Sequence, residues 1–407
     1  MESLLFCQSE PTDQTALAQL WHYCFMEDRN NGFIPWYFQH CFQPETTYVA
    51  KTAQGEVLAA IYAPRLTYHC RGKDWQTPYI QGVATAPQAR GQGVVGRLLG
   101  HTMQELARQN LPFGILKPFD PAFYERTGWQ FFADLLKYQL PLHKLGQGKP
   151  SRRLTYHFLT KSEERLPELL TIYETWLQER QGLTHFCRRT PAQFRRLLQD
   201  HTADHGDVLL AKAGETPVGY LLYQMQGNAF FIREAAYTCP EALQSLLALA
   251  QEHASQVKQC LMVAPITWQS QMLLPKQLAG ANIYPFAMGR LLDVQTAFDK
   301  LPVPDALQAS CHLVILDKEI PQNQGTWQFS CQNGQSKMQK MSEDGKFCQN
   351  ALQIEISLLT KVYLGCYNLS GYRNAMSLPA KSEAETAAIQ LLTAAFPAKA
   401  NYFYEYF

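Results

Sequence analysis

The chain has no Cys-x-x-Cys pair, no surplus of either charge, no long apolar run and no GxxxxGK[ST] loop. Each absence removes a class of function. Its 11 cysteines are scattered from Cys7 to Cys366, an odd number without metal-ligand spacing. They read as reduced, buried thiols and argue against a disulfide framework or a structural zinc. The net charge of +1 gives no electrostatic reason to bind nucleic acid or an anionic bilayer. No window approaches the ~18 apolar residues of a membrane span, and "MESLLFCQSE" lacks the basic region of a signal peptide. The expectation is a cytoplasmic protein with no nucleic-acid or membrane partner. The missing phosphate-binding loop excludes P-loop nucleotide chemistry.

What is present is a globular composition: 46% apolar and 17% charged over 407 residues. That length is too great for one ordinary core and implies two or three domains. Residues 14–42 are helical in pattern and rich in aromatics, Trp36 among them. "TTYVAKTAQGEVLAAIYAPRLTYHC" reads as two strands about a Gln-Gly turn, and Tyr79–Thr85 as a third strand. An amphipathic helix follows from Val94 to Gln109, then a strand over Phe113–Leu116. The same order recurs after a helical region at Leu166–Asp200: "GDVLLAKAGETPVGYLLYQMQ" as strand, turn, strand, then "AFFIREAAY", a helix, and "QCLMVAPI". The repeated order predicts an internal duplication with little residue identity. Beyond Leu301 come strands at "CHLVILD", "TWQFSCQ" and "ALQIEISLLTKVYLG", then a helix from Ser382 to Phe396. That is an α+β pattern.

The most informative junction is "GVATAPQARGQGVVGRLL". Gln88, Gly91 and Gly93 stand between a strand and a helix. Glycine lets a backbone approach a ligand, and the first N–H groups of a helix have no internal partner. Together they form an anion site suited to a pyrophosphate, and Arg90 can add a charge-assisted contact. The position after a third strand does not suit a dinucleotide Rossmann site. "PQARGQG" resembles the acetyl-coenzyme A motif of the GNAT superfamily of N-acetyltransferases, Gln/Arg-x-x-Gly-x-Gly/Ala. "FYERTGW", Phe123 to Trp129, resembles that superfamily's next conserved tract.

The full layout is similar to the enhanced-intracellular-survival family of acetyltransferases. The resemblance implies two tandem GNAT-fold domains followed by a sterol-carrier-protein-like α+β domain, with expected ranges 1–148, 149–299 and 300–407. It implies acetyl-CoA as co-substrate, held by Val83, Ala84, Thr85, Gln88, Arg90, Gly91, Gln92, Gly93, Val94 and Val95, and no metal. His201 and His205 are four apart, but the surrounding "DHTADHGD" reads as a helix end rather than a ligand set. Tyr124 matches the family's general acid. The family ends in an aromatic residue whose α-carboxylate serves as general base, and this chain ends "NYFYEYF". Phe407 takes that role by resemblance. Read from the residues alone, the tail is an edge strand. Tyr402, Tyr404 and Tyr406 then face one side, with Phe403, Glu405 and Phe407 on the other.

The implied substrate is a cationic amine, near Trp36 and Asp28, Gln81, Gly82 and Glu405. The small Gln81-Gly82 pair and Tyr406 at the penultimate place depart from the family pattern, which puts aminoglycosides in question. The second junction, "EAAYTCPEALQSLL", has no glycine, so one cofactor per chain is expected. The family assembles as trimers and hexamers, which implies a homo-oligomer. Two rival readings stand beside the amine acetyltransferase: an acyl-CoA or lipid carrier without chemistry, and a protein-lysine acetyltransferase.

Overall fold

The computed structural model describes residues 4–25, 33–146, 148–159, 161–268, 274, 281–342, 351–380 and 382–405. Its chain starts with β1 (Leu5–Gln8), α1 (Gln14–Phe25) and α2 (Phe33–His40). Four strands follow: β2 (Thr47–Lys51), β3 (Val57–Tyr62), β4 (Arg65–Cys70) and β5 (Lys73–Thr85). Then come α3 (Val94–Arg108), β6 (Phe113–Leu116) and the single turn α4 (Pro121–Glu125). The middle of the chain holds β7 (Gln130–Pro141), β8 (Thr155–Leu159), α5 (Leu166–Thr175), β9 (His185–Arg188) and α6 (Pro191–Ala203). It continues through β10 (Asp207–Ala213), β11 (Thr216–Gln226), β12 (Ala229–Tyr237), α7 (Pro240–Gln251) and β13 (Gln259–Pro265). The last third runs β14 (Ala281–Leu291), α8 (Val294–Phe298), β15 (Ala309–Leu316), β16 (Gly325–Gln332), β17 (Gln335–Ser342) and β18 (Ala351–Glu355). It closes with α9 (Ile356–Tyr363), α10 (Leu369–Ala375), α11 (Glu383–Ala395) and β19 (Asn401–Tyr402). Mixed sheets with helices on them match the α+β expectation.

The chain folds into two compact units, 1–132 with 287–399, and 133–286 with 400–407. In the first, β1, β2, β3, β5, β6 and the end of β14 form one sheet in that order. Alternation along its strands feeds two cores. Tyr48, Ala50, Ala59 and Ile61 pack under α3 with Leu98, Leu99, Met103 and Leu106. Val49, Ala60 and Tyr62 face the other way, onto Leu17, Trp21, Tyr37 and Phe38 of α1 and α2. Of the aromatics read from residues 14–42, Trp21, Tyr37 and Phe38 are core, Trp36 and Phe42 are half-buried against it, and Phe25 is exposed. The same unit holds a second sheet in the order β17, β16, β15, β18, covered by α11.

These two layers lock through buried polar groups. At the β4–β5 turn, Arg71 and Gly72 both have left-handed φ, 54° and 75°. That places the Arg71 guanidinium on the carbonyls of Val362 (2.9 Å) and Tyr363 (2.8 Å), at the C-terminal end of α9. A cation there satisfies orphan carbonyls and complements the helix dipole. Fully buried Arg290 of β14 donates to Asp317 and to the carbonyl of Thr127, each at 2.6 Å.

In the second unit the order is β7, β13, β12, β11, β10, β8. The expected duplication is present: antiparallel strands, a strand-to-helix junction, and a parallel strand after the helix occur in both units. Several elements differ from the expectation. The stretch read as two strands holds β2, β3 and β4, and β5 begins at Lys73. The turn at Arg71-Gly72 went unread because arginine seldom adopts positive φ. "ALQIEISLLTKVYLG" is a strand only to Glu355. From Ile356 it is helix, burying Ile356, Leu359, Thr360 and Tyr363 at helical spacing. Strand β9 interrupts the helical region expected over Leu166–Asp200.

Candidate active site

Strands β5 and β6 pair in parallel at Tyr79↔Ile115 and Ile80↔Leu116. There β6 ends while β5 runs on to Thr85, so among the described residues the last five of β5 have no partner on that edge. On the other edge β5 pairs with β3, with a register shift between Ala60 and Tyr62. The parted strands open a cavity of about 460 Å³. Val83, Ala84, Thr85, Arg90, Gly91, Gly93, Val94, Val95 and Tyr124 all line it.

Gly91 and Gly93 sit at φ 75° and 68°, and a Cβ on either would meet open space. Their identity is thus set by backbone conformation and leaves room for a ligand against the main chain. Gly93 caps α3, whose first internal bond is Arg97 N–H to Gly93 O, 3.1 Å. The N–H groups of Val94, Val95 and Gly96 therefore have no acceptor inside the helix. With the helix dipole they make a positive rim suited to phosphate oxygens. Arg90 stays beside it, donating from Nε to Thr85 O (3.3 Å) and lying over the Tyr23 ring. Gln88 and Gln92 do not line the cavity. Gln88 Nε2 donates to Glu56 (2.8 Å), and Gln92 Nε2 to the Gln88 carbonyl (2.7 Å). They shape the loop rather than its inner surface.

Tyr124 is on α4, whose start is fixed by Pro121 and by the Asp120 carboxylate accepting from Ala122 N–H (3.1 Å). Behind it, Thr127 N–H and Oγ1 donate to the Tyr124 carbonyl. Phe123 and Trp129 flank its ring edge-on. Burial, with Asp120 adding repulsion, pushes the phenol up to about 12. It is a proton donor throughout the physiological range.

The other expected site residues are distributed as follows. Trp36 is half-buried at the edge of the aromatic core, near His40. Gln81 is buried, and its Nε2 donates to Tyr37 Oη at 3.0 Å. Among the described residues its buried Oε1 has no hydrogen-bond partner. Gly82 has φ 56°, and a Cβ there would fall 2.5 Å from ring carbons of Trp21 and Tyr62. Its smallness is required by packing. The Glu405 carboxylate, expected to face the amine, is instead buried against Arg189 at 3.0 Å. Asp28 and Phe407 lie outside the described residues. Sequence reasoning missed Cys24 and Phe25, which bring the end of α1 to the cavity, and Asp120 and Phe123. The Asp120-Pro121 pair was a readable helix-start signal for the last two. Among the described residues no cluster of His, Cys, Asp or Glu could hold a metal.

Residues 8–132 match an acetyltransferase (GNAT) domain model, 186–291 a second such model, and 294–404 a sterol carrier protein domain. The chain carries two GNAT domains and a sterol carrier protein domain. The GNAT fold implies acetyl-CoA as co-substrate. Solved structures share the layout end to end. A GCN5-related N-acetyltransferase from Anabaena variabilis superposes with a TM-score of 0.80 at 21% identity, covering 100% of both chains. A probable N-acyltransferase from Enterococcus faecalis gives 0.80 at 18%, covering 98% of this chain and 100% of its own. Eis1 from Mycobacterium abscessus gives 0.71 at 16%, covering 100% of both. No curated protein matches in sequence. In the second GNAT domain, α7 follows β12 after only Thr238 and Cys239, with no glycine turn. No helix among the described residues is long and apolar enough to cross a membrane.

Proposed function

We propose that the first GNAT domain transfers an acetyl group from acetyl-CoA to a primary amine of a small cationic molecule by direct attack. One observation carries this reading: the glycine turn that suits a pyrophosphate and the protonated phenol of Tyr124 line one cavity. The α3 N-terminus and Arg90 hold the phosphates. The free edge of β5, from Gln81 to Thr85, directs backbone N–H groups at the thioester oxygen, where negative charge develops. The amine nitrogen bonds to the carbonyl carbon, the C–S bond breaks, and Tyr124 gives its proton to the departing sulfur. The α-carboxylate of Phe407 takes the proton that the amine loses. The indole of Trp36 and the unpartnered Gln81 Oε1 suit a cationic, hydrogen-bond-donating acceptor.

Thiol release from acetyl-CoA, measured with polyamines, aminoglycosides and lysine peptides, tests the reading. Release with a small polyamine is the expected result. Tight acyl-CoA binding without release for any amine makes the protein a carrier, and release with peptides alone makes it a lysine acetyltransferase. We also propose a cytoplasmic homo-oligomer, a hexamer or trimer, which light scattering on the purified chain would measure.

Two further outcomes follow from the junctions. Titration with acetyl-CoA should give one site per chain, because the second domain lacks the glycine turn; two sites would refute this. Gly93→Ala forces a left-handed alanine, which costs about 1–2 kcal/mol. Calorimetry should show acetyl-CoA bound roughly 5–30-fold more weakly if the loop relaxes from its ligand-holding shape. Unchanged affinity would remove the turn from the phosphate site.

A further inference from the structure

The second unit repeats the parting of strands that opens the cavity in the first. β12 and β13 pair in parallel from Ala229↔Gln259 to Ile232↔Met262. They pair no further, although β13 continues to Pro265 beside β7. A register shift against β11 falls at the same place, between Leu222 and Tyr223. Counted from the last paired residue, Glu234 stands where Gly82 stands in the first unit. A bare backbone position there has become a buried carboxylate.

That carboxylate has one dominant partner. Arg189, just past the end of β9, sends Nη1 and Nη2 to the two oxygens of Glu234, both at 2.8 Å. Its remaining donor, Nε, reaches Glu405 at 3.0 Å. Its guanidinium lies 4.0 Å from the centre of the Tyr173 ring, and Tyr220 Oη donates to Glu234. All three charged side chains are 2% exposed or less. A bidentate guanidinium cannot rotate, so Nε points along a fixed direction. The tail meets it there. Asn401 and Tyr402 pair with His185 and Phe186 of β9, and Tyr404 packs on Phe286.

We propose that the second GNAT domain is the socket of the C-terminal tail, with Arg189, oriented by Glu234, as the positioning residue that fixes Glu405. The strand opening that holds acetyl-CoA chemistry in one copy of the fold holds a chain terminus in the other. The proposal rests on the reading of Phe407 as the base. Phe407 stands two residues beyond Glu405 in the chain, and two extended residues span at most about 7 Å. Anchoring Glu405 therefore confines the α-carboxylate to a small volume, as proton transfer requires.

The test uses full-length protein and Glu405→Ala, which leaves the Arg189–Glu234 pair intact. Carboxypeptidase Y should remove the tail residues at least tenfold faster than from the wild type. In the same variant kcat should fall tenfold or more, with KM for acetyl-CoA within twofold. Glu405→Gln keeps an acceptor for Nε and should recover most of kcat. Wild-type release rates would overturn the socket, and faster release with unchanged kcat would overturn Arg189 as a positioning residue where deletion of Phe407 lowers kcat. Phe407 deletion assayed alongside separates the two ideas. If that deletion keeps full kcat, the base reading falls, and the release rates still judge the anchor.

Discussion

Tyr124→Phe is expected to lower kcat by about 10²–10⁴-fold, the range over which a positioned general acid contributes. The substitution removes one oxygen from a ring held by Phe123 and Trp129, so the fold and the phosphate contacts stay as they are. KM for acetyl-CoA should therefore change little, and the loss should fall on the chemical step. The pH profile supplies a second readout. Burial raises this phenol to about 12, above its ordinary value. A raised acid stays protonated through neutral and mildly alkaline solution, and loses its proton only as the pH climbs toward that value. The wild-type kcat should accordingly hold past pH 10, where an exposed tyrosine would already be ionising. The same sign applies to stability: the neutral, buried phenol is favourable below its unfolded pKa, and that advantage disappears as pH rises through the folded value. Tyr124→Phe should lack any alkaline decline due to this group. An unchanged kcat in the variant would remove Tyr124 from the chemistry and return it to packing.

The glycine turn was legible in the sequence because its residues are dictated locally. Positive φ at Gly91 and Gly93 demands glycine, and the helix start follows at once. Gly82 was legible as a small residue but its reason was not. Trp21 and Tyr62, distant in sequence, press on its α-carbon. The helix from Ile356 was read as strand since Ile, Thr and Val favour both pleated and buried helical settings, and only packing decides. Glu405 shows the same limit at the site. Its type suggested an amine ligand, while its partner lies 216 residues away at Arg189. The tail's expected two-sided alternation gave way for a related reason. Asn401 and Tyr402 do form an edge strand on β9, but residues 401–405 are buried throughout, so no side of the tail faces solvent. Long-range ion pairs leave no periodic trace, so the socket was invisible until the chain was folded.

Deleting Phe407 is expected to cost about 10²–10⁴-fold in kcat, while Phe407→Leu should stay within about threefold. The contrast follows from where the reactive atom sits. If the base is the α-carboxylate, any residue that keeps chain length and an apolar side chain keeps the oxygen in place. Removing one residue withdraws that carboxylate by about 3.5 Å, and a displacement of even ~1 Å can cost 10²-fold. A C-terminal extension should be as harmful as the deletion, since it converts the carboxylate to a neutral amide that cannot accept the proton. As the base, that carboxylate has to be in its ionised form to accept a proton. The pH dependence of turnover should then follow deprotonation of the acceptor amine, rising toward alkaline pH, and the deleted protein should retain that slope at a lower level. Equal losses in the deletion and in Phe407→Leu would point to the aromatic ring as the working part. Full activity in the deletion would require another base, and the tail would then be an anchor alone.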